Sequence, residues 1–264
     1  MPQIEQLTDK AALQAFFEQR RALNAYALRD LDEPHWSRTE WFAFRNADRI
    51  EEVALLYHGI QPSILIALTN NSIAGMLALL DELRDSLPGK VYAHLSPGLR
   101  PSLETRFNFE DHGPHRVMKL VEPGKVLEAD SRGVEQLGKR DLDEMQALDD
   151  ASYPGHWFSA TMLDNGPYVG LRDEAGELLS IAGVHVFSER YAVAALGNIV
   201  TRPELSGRGY GKRVTAGLCQ ALLPGVKTIA LNVQAENAAA NKMYAGLGFE
   251  AIADYGEYML VSSG

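Results

Sequence analysis

The spacing of apolar positions predicts helices and strands in alternating order, which is typical of an α/β fold. In the first half, helical periodicity runs through residues 11–28, and a second amphipathic helix is expected over residues 73–83 with Ser72 as its N-cap. A shorter helix is expected near residues 101–107. Apolar runs bounded by turn residues predict strands at residues 41–44, 53–57, 63–68, 91–95 and 115–121.

The second half repeats nearly the same order of elements. Helices are expected over residues 141–152 and 159–164, and a later helix is ended by Pro224-Gly225. The last helix has Gly248 just beyond its end, and its apolar face is formed by Ala240, Met243, Tyr244 and Leu247. The expected strands are residues 168–172, 178–187, 193–201, 228–234, 249–253 and 257–261. In element order, though not in residue identity, the two halves look like one α/β unit used twice.

The best candidate for a domain boundary is the segment Glu122-Pro123-Gly124-Lys125, because Pro-Gly is a turn signal and few periodic residues cross it. A chain of 264 residues accommodates two small domains, each with its own core. We therefore expect an N-terminal domain over residues 1–124 and a C-terminal domain over residues 125–264.

Composition narrows the function classes. With 25 Lys and Arg against 35 Asp and Glu, the formal net charge is −10, and such a surface repels a nucleic-acid backbone.

The single cysteine, Cys219, cannot form an internal disulfide and is too few for a zinc site built on cysteine pairs, so no metal is expected. The most apolar stretch, residues 53–68, is interrupted by polar residues and Pro62, so no membrane span is expected. The N-terminal residues lack a signal-peptide pattern, and we expect a cytoplasmic protein whose oligomeric state the sequence leaves open.

The densest chemical signal lies in residues 203–213, between an expected strand and an amphipathic helix. Three alternate glycines, at positions 207, 209 and 211, free the backbone, so loop and helix amides can line an anion site. Arg208, Lys212 and Arg213 add positive charge there in an otherwise acidic chain. A glycine-rich turn with solvated basic residues is the alternative.

Two better-known phosphate motifs do not fit this loop. The interval from Gly207 to Gly211 is too short for the P-loop pattern, and an arginine follows Lys212 where that pattern needs Ser or Thr. The dinucleotide fingerprint fails as well, because the third glycine comes two residues after the second and no acidic residue ends the next strand. ATP hydrolysis and dinucleotide binding are therefore not expected.

Three segments in this order resemble the GCN5-related N-acetyltransferase (GNAT) superfamily, whose members bind acetyl-CoA. They are the strand 195–201, the loop 207–212 and the segment 231–249, which carries the pattern N-x-x-A-x-x-x-Y-x-x-x-G-F. The resemblance covers residues 133–261 and points to the branch of FR47-like and glycine N-acyltransferase-like proteins. It implies an α/β fold with a mixed sheet, here as a tandem whose N-terminal repeat is degenerate.

The resemblance also implies roles for matching positions. The loop would wrap the CoA diphosphate with backbone amides, and the strand before it would pair its backbone with the pantetheine arm, one N–H polarising the thioester carbonyl. Gly197 would mark a bulge that opens a slot for the arm. Ser206 stands where the family usually has Gln or Arg, which puts one side-chain contact to the phosphate in doubt. The positions implied in cofactor binding are Ile199, Val200, Thr201, Gly207, Arg208, Gly209, Tyr210, Gly211, Lys212, Asn232, Asn237 and Asn241.

Some of these residues have structural roles as alternatives. Tyr244 matches the tyrosine that protonates the departing thiolate, but its helical spacing with Ala240 and Leu247 is also typical of core packing. Asn237 suits a helix N-cap. Cys219 follows the loop within a helix and is assigned to packing.

The sequence offers no carboxylate for a general base on the strand before the loop. An attacking amine must be neutral, so a base or a water relay is needed, and the strand 193–201 contains no carboxylate. His185 and Glu189, near the preceding strand and its turn, are the candidate catalytic residues. His156 lies where the family's acceptor-binding segment falls. Each of the three has a structural or solvated role as its alternative.

We therefore expect an N-acetyltransferase that moves an acetyl or other small acyl group from acetyl-CoA to a primary amine, by direct attack in a ternary complex. The alternatives are a non-catalytic acyl-CoA sensor and a nucleotide-phosphate-binding module. The amine is left open among amino acids, polyamines, antibiotics and protein N-termini. The N-terminal loop 68–75 lacks alternate glycines and nearby Lys or Arg, so that half should not bind CoA, and we expect it to pack on the catalytic half.

Overall fold

The computed structural model describes residues 2–152, 158 and 160–263, which form alternating strands and helices. The strands are β1 (Pro2–Gln6), β2 (Thr39–Asn46), β3 (Arg49–Tyr57), β4 (Ser63–Ala67), β5 (Lys90–Leu95), β6 (Phe107–Leu120), β7 (Val134–Leu137), β8 (Tyr168–Arg172), β9 (Leu178–Ser188), β10 (Val193–Thr201), β11 (Thr228–Gln234) and β12 (Phe249–Ser262). The α-helices are α1 (Lys10–Phe17), α2 (Ala25–Asp30), α3 (Ile73–Leu83), α4 (Pro101–Glu104), α5 (Pro123–Glu128), α6 (Leu142–Ser152), α7 (Tyr210–Leu222) and α8 (Ala238–Ala245). Short 3-10 helices cover Glu18–Arg20, Trp36–Arg38, Lys139–Asp141, Ala160–Asn165 and Pro203–Leu205.

The expected α/β class with a mixed sheet is confirmed. β4 pairs with β5, and β10 with β11, in parallel, while the neighbouring strand pairs are antiparallel. Within the described ranges, no helix combines the length and the apolar composition that crossing a bilayer requires.

The described residues form two compact units that are not contiguous halves of the chain. The first contains residues up to Val117, the short segment Gln234–Glu236 and residues from Ile252 onward, and the second contains Met118–Val233 and Asn237–Ala251. The boundary at residue 124 stays a prediction. This boundary does not separate the two units, because most of the last strand, β12, belongs to the first unit.

The strand order of the first unit is β1-β2-β3-β4-β5-β12-β6. Helix α3 covers one face, where Met76, Leu79 and Leu80 are fully buried with Leu65 and Val91. The predicted cap of this helix is confirmed, since the Ser72 hydroxyl accepts a hydrogen bond from the Gly75 amide at 3.0 Å.

Three elements differ from their sequence-based expectations for local reasons. The helix expected over residues 11–28 is broken, because the Asn24 side-chain amide donates to the carbonyls of Phe17 and Arg20 at 3.4 and 3.2 Å. The turn expected at Pro123 is instead the start of α5. Proline is tolerated there, because the first amides of a helix have no acceptor within it and proline has no N–H to satisfy. The two expected final strands form one strand, in which Gly256 starts the ladder with β5 by pairing with Leu95.

The second unit has the strand order β11-β10-β9-β8-β7, with helices on both faces. On one face, α7 buries Val214 and Leu218 in a core with Val184, Leu196 and Leu231. On the other face, α6 forms a second core with strands β8, β9 and β10, whose members include Met145, Leu148, Tyr168, Ile181 and Val200. Burial on both faces explains why β9 and β10 are nearly continuous apolar runs.

In the first unit, the loop between β4 and α3 corresponds to residues 203–213 of the second unit. The backbone amides of this loop donate hydrogen bonds to a carboxylate of the chain itself. Glu52 on β3 is fully buried, and it accepts hydrogen bonds from the amides of Asn70 at 2.8 Å, Asn71 at 2.5 Å and Ser72. Burial raises the pKa of Glu52, and the three amide bonds oppose that shift. The three successive amides of the loop just before α3 are therefore satisfied without a ligand.

We expect Glu52→Ala to lower the free energy of unfolding by about 3 kcal/mol, because each buried amide left without an acceptor costs about 1–3 kcal/mol. Urea unfolding followed by circular dichroism measures the change. Glu51→Ala is the matched control, since Glu51 precedes it on β3, is only half-buried and makes none of these side-chain bonds. Equal losses in the two variants would contradict this account of Glu52.

Candidate functional site

A slot opens where β10 and β11 part. Their parallel pairing runs only from Val193 and Thr228 to Leu196 and Leu231, although both strands continue beyond the last pair. Among the described strands, none pairs with residues 197–201 on the β11 side of β10. β4 and β5 of the first unit differ, because they pair along the whole of β4.

A bulge in β10 starts at the mouth of this slot. The register of β10 against β9 shifts between Gly197 and Val200, so the bulge expected at Gly197 is confirmed. Asn198 within it has φ of +48°, a left-handed conformation that asparagine tolerates better than most residues.

The glycine loop leads into α7 and presents backbone amides. Gly207 and Gly209 have φ of +77° and +85°, and Gly209 is the N-cap residue of the helix. The Arg213 amide donates to the Gly209 carbonyl at 3.1 Å, which is the first backbone bond of the helix. The amides of residues 210–212 precede that bond and have no acceptor within α7. With the positive end of the helix dipole, they form a cradle suited to an anion.

The loop, the end of β10 and α8 meet at Gly211. A Cβ on Gly211 would lie 3.3 Å from Thr201 Oγ1, which is a tight contact, and 3.6 Å from Met243 Sδ, so the first turn of α7 approaches both side chains closely. The structure therefore brings together the loop, the strand and the helix that the sequence singled out.

The basic residues of the loop are not equivalent. Arg208 and Lys212 are exposed. Arg213 differs, since its Nε lies 3.7 Å from the Asp130 carboxylate and its guanidinium donates to the Arg132 carbonyl. Its expected contribution of charge to the anion site stays a prediction, and Arg208 and Lys212 are the more accessible basic side chains of the loop.

The strand residues of the site point to different environments. Val200 is buried in the core beneath α6, whereas Ile199 and Thr201 are half-buried. The Thr201 carbonyl accepts a hydrogen bond from the Ser152 hydroxyl at 3.2 Å, which ties the end of β10 to α6. Tyr210, in the first turn of α7, packs against the core on the opposite face.

The asparagines of the site surround the start of α8. Asn237 caps the helix, its Oδ1 accepting from the Ala240 amide at 3.0 Å, as its alternative role required. The Asn241 side-chain amide donates to the Asn237 carbonyl at 2.8 Å. Asn232 is half-buried and is the first β11 residue beyond the last pair with β10.

Tyr244 lies largely within the core. Its exposed fraction is 7%, and its ring meets that of Phe249 edge-on with 6.0 Å between centroids. Packing is therefore one of its roles, and thiolate protonation stays a prediction.

Of the two candidate general bases, His185 and Glu189, the structure places one beside the slot. A Cβ built on Gly197 would overlap the His185 imidazole, whose Nε2 lies 2.9 Å from Asn198 Oδ1. Glu189 is exposed in the turn before Val193, and the four residues from there to Gly197 span about 13 Å of strand. The structure does not bring Glu189 to the slot.

Cys219 and His156 were also singled out in the sequence. Cys219 is buried, and burial raises its pKa to about 12, which suits packing and not nucleophilic chemistry. His156 lies outside the described residues. In the part of the chain that is described, no group of three or more His, Cys, Asp or Glu is arranged for a metal ion.

The sequence reasoning missed two residues at the slot, Asn198 and Tyr168. The Asn198 side-chain amide donates to Tyr168 Oη at 2.8 Å, and its carbonyl faces His185. A Gly-Asn pair inside a strand was the available signal, because both residues adopt left-handed conformations at bulges. The pairing of Asp130 with Arg213 has no comparable signal, since it joins distant parts of the sequence.

Comparison with known proteins finds relatives of the part of the chain that contains these features. The model of the family described as FR47-like protein matches residues 168–258. In sequence, the chain is 26% identical over 123 residues to a [ribosomal protein bS18]-alanine N-acetyltransferase of Haemophilus ducreyi, covering 45% of this chain and 83% of the relative.

Solved structures show the same fold. A GNAT-family protein of Novosphingobium aromaticivorans has a TM-score of 0.62 and 22% identity, covering 92% of this chain and 99% of its own. A tandem GNAT protein from the clavulanic acid biosynthesis pathway has a TM-score of 0.58 and 13% identity, covering 100% of this chain and 99% of its own.

The sequence relative is an N-acetyltransferase and the structural neighbours are GNAT-family proteins, so the chain has the fold of that class of acyltransferases. The stretch that matches the FR47-like model, residues 168–258, contains β10, the glycine loop and α8.

We expect Gly197→Ala to destabilise the protein by about 1–3 kcal/mol, because the added methyl group overlaps the His185 ring and forces it to move. Urea unfolding measures the loss. Gly124→Ala is the control, since a Cβ there would meet nothing within 4 Å and alanine favours the helix α5. A Gly197→Ala protein as stable as the control would show that the ring does not occupy this space.

Proposed function

We propose that this chain transfers an acetyl group from acetyl-CoA to a primary amine by direct attack in a ternary complex. The observation that carries the proposal is the slot between β10 and β11 with the α7 amides at its end. A strand with a free backbone edge suits the amide groups of pantetheine, and an amide cradle suits a diphosphate. The proposed ligand has both groups.

In this proposal, the diphosphate lies against the amides of residues 207–212, with Arg208 and Lys212 adding charge. The pantetheine arm pairs with the backbone of residues 199–201, where one N–H also polarises the thioester carbonyl. Asn232, Asn237 and Asn241 complete the cofactor contacts. The degenerate repeat has no equivalent slot, so we propose one CoA site per chain.

The proposed reaction forms one C–N bond and breaks one C–S bond. The lone pair of the neutral amine attacks the thioester carbon, and the carbonyl electron pair moves to oxygen. His185 takes a proton from the attacking nitrogen. The carbonyl reforms, the C–S bond breaks, and the thiolate of CoA receives a proton from Tyr244.

The named relative supports an amine as the acceptor. Its name states that it acts on an alanine of a ribosomal protein. Which amine this chain acetylates is left to experiment, among amino acids, polyamines, antibiotics and protein N-termini.

Release of free CoA thiol from acetyl-CoA, measured with a panel of these amines, tests the proposed function. We expect release with at least one primary amine and a mass increase of the acceptor by one acetyl group. Binding of acetyl-CoA without release across the panel would favour the non-catalytic sensor. ATP competing with CoA at similar affinity would favour the nucleotide-binding alternative.

Gly209→Val tests the amide cradle. Valine is strained at φ of +85°, and relief of that strain turns the loop amides away from the diphosphate. Losing one charge-assisted hydrogen bond costs about 1.5–3 kcal/mol, so we expect calorimetry to show CoA affinity reduced by about tenfold to a hundredfold or more.

Gly176→Val is the matched control. Gly176 has φ of +89° and, like Gly209, no atom within 4 Å of an added Cβ, but it lies in the turn between β8 and β9. Both variants should lose similar stability while only Gly209→Val loses CoA affinity. Equal affinities for CoA would remove the loop from the proposed site.

We expect Lys212→Ala to weaken CoA binding by about fivefold at low salt, and by less at high salt, since exposed ion pairs contribute up to about 1 kcal/mol. Arg213→Ala should change the affinity by less than about twofold, because Asp130 already pairs with that guanidinium. Calorimetry at two salt concentrations compares the two variants. A larger loss from Arg213→Ala would contradict the assignment of charge in the loop.

A further inference from the structure

A carboxylate of the first unit is surrounded by phenol and imidazole rings. Glu257 on β12 lies directly opposite His94 on β5 in the strand register. The alternate residues of β5 belong to the core under α3, so His94 and Glu257 lie on the other face of the sheet. The Glu257 cluster lies wholly within the first unit, and its members are Tyr92, His94, His112, His115, Tyr255 and Glu257.

Glu257 is a largely buried anion. Only 16% of its side chain is exposed, and it accepts hydrogen bonds from the phenols of Tyr92 and Tyr255. Burial raises the pKa of Glu257, but the histidines and the phenol hydrogen bonds outweigh burial and lower that pKa, so the carboxylate is ionised at neutral pH. Among the described residues, its ion-pair partners are two imidazoles and not a Lys or Arg side chain. A buried charge is costly unless it is paired, so the source of positive charge decides what this cluster does.

Neither imidazole pairs with Glu257 by a direct hydrogen bond. Burial lowers the pKa of His94, although Glu257 opposes the shift, so that ring is neutral at neutral pH, and its Nε2 lies 3.7 Å from Glu257 Oε1. His115 Nδ1 lies 3.1 Å from the Gly113 carbonyl, which only accepts, so Nδ1 carries hydrogen. In the neutral ring of His115 the lone pair is therefore on Nε2, which lies 3.8 Å from the same carboxylate oxygen. Both distances exceed that of a hydrogen bond, so a proton on either Nε2 would not bond directly to Glu257.

We propose that the Glu257 cluster is a binding site for a primary ammonium group, whose three N–H donors bond to Glu257 Oε1, His115 Nε2 and His94 Nε2. His94 takes part in its Nδ1–H tautomer, in which Nε2 accepts. The ammonium ion supplies the positive charge for the carboxylate and reaches each acceptor at hydrogen-bond distance. This inference does not rest on the proposed function, because every residue of the cluster belongs to the first unit. The ligand also differs, since a protonated amine binds here whereas the proposed acetyl acceptor must be neutral.

The surroundings of the three acceptors suit an ammonium ion. An alkylammonium group has three donors and no acceptor, which matches three acceptors facing one another. Aromatic rings attract such cations, and the rings of the cluster contact one another in the order His112, Tyr92, His94, Tyr255 and His115, with centroids 5.2 to 5.7 Å apart. The side chains of His94 and His115 are 13% and 12% exposed, so the acceptors reach the surface. The described members of the cluster are not arranged for a metal ion.

Calorimetry of the full chain at pH 8 with methylammonium and tetramethylammonium chloride tests the site. Both ions carry one positive charge, but only methylammonium has N–H donors. Hydrogen bonds to charged groups are the stronger ones, so we expect methylammonium to bind about tenfold more tightly or better. Equal affinities, or no binding of methylammonium, would overturn the proposal. Zn²⁺ that displaces methylammonium at equimolar concentration would assign the cluster to a metal and would also overturn it.

Glu257→Gln tests the carboxylate. The amide keeps the shape of the side chain and loses its charge, so we expect methylammonium affinity to fall by about tenfold or more. Glu40→Gln is the matched control, because Glu40 Oε1 lies 2.7 Å from His58 Nε2, so that carboxylate and imidazole already bond directly. The control should bind like the wild-type protein. Equal affinities for Glu257→Gln and the wild type would overturn the proposal.

Spectra of the wild-type protein test the site without relying on a variant that must fold. Long-range 1H–15N spectra, with His115→Gln used only to assign the signals, report the protonation of His115. We expect a neutral ring with hydrogen on Nδ1 at pH 8, and a shift of the Nε2 signal when methylammonium is added. A ring that is fully protonated at pH 8 would make a proton the occupant of the site. That result, or an Nε2 signal that does not respond, would overturn the proposal.

The pH dependence of binding gives an independent check. A proton on His115 Nε2 competes with the ammonium ion, so we expect the affinity to fall by about tenfold per pH unit below the pH at which the spectra show His115 to titrate. Burial raises the pKa of Tyr92 and of Tyr255, so both phenols stay protonated over this range. The other titratable groups near the carboxylate are His94, His112, which contacts Tyr92, and Tyr26 of α2, which acts on Tyr255.

An affinity that does not change across the titration of His115 would overturn the proposal. Failure of the proposed function is a separate result, since thiol release from acetyl-CoA measures the function and methylammonium binding measures this site.

Discussion

Backbone amides in the loop before a helix and in its first turn must find acceptors outside the helix, and the two units differ in where such acceptors come from. In the first unit, the buried carboxylate of Glu52 accepts from three successive amides. In the second, no described side chain accepts from the amides of residues 210–212. The loop amides before α3 are thus bonded by the protein itself, whereas the first-turn amides of α7 are where we propose that a ligand binds.

The second constraint is the parting of two parallel strands. Parallel pairing between β10 and β11 stops after four residue pairs, at the point where the bulge of β10 begins. That bulge requires Gly197, because the His185 ring occupies the space of a side chain, and it places Asn198 in a left-handed conformation. One local deformation therefore both opens the slot and sets the polar contacts beside it.

Much of this was predictable from the sequence, because the signals are local. The strands 193–201 and 228–234 and the caps at Ser72 and Asn237 follow from apolar runs and short polar side chains. The pairing of Arg213 with Asp130 and the burial of Glu52 were not predictable, since both join positions that are distant in sequence. That the last strand belongs to the first unit was not predictable for the same reason, since β12 pairs with β5, which is distant in sequence. Periodicity shows that residues form a strand, but not which strand they pair with.

An amide cradle alone does not make a coenzyme site. In the first unit, β4 is paired with β5 along its whole length, and the Ser96 amide extends the contact by donating to the Ala67 carbonyl at 3.1 Å. Even without Glu52, a diphosphate at the start of α3 would find no free strand edge for the rest of the ligand. Two separate features therefore oppose coenzyme binding in the first unit. Glu52 occupies the loop amides, and the pairing of β4 with β5 leaves no slot, and either feature alone is sufficient. The second unit has neither barrier, so the combination of free amides and a free strand edge, rather than either feature alone, distinguishes the site.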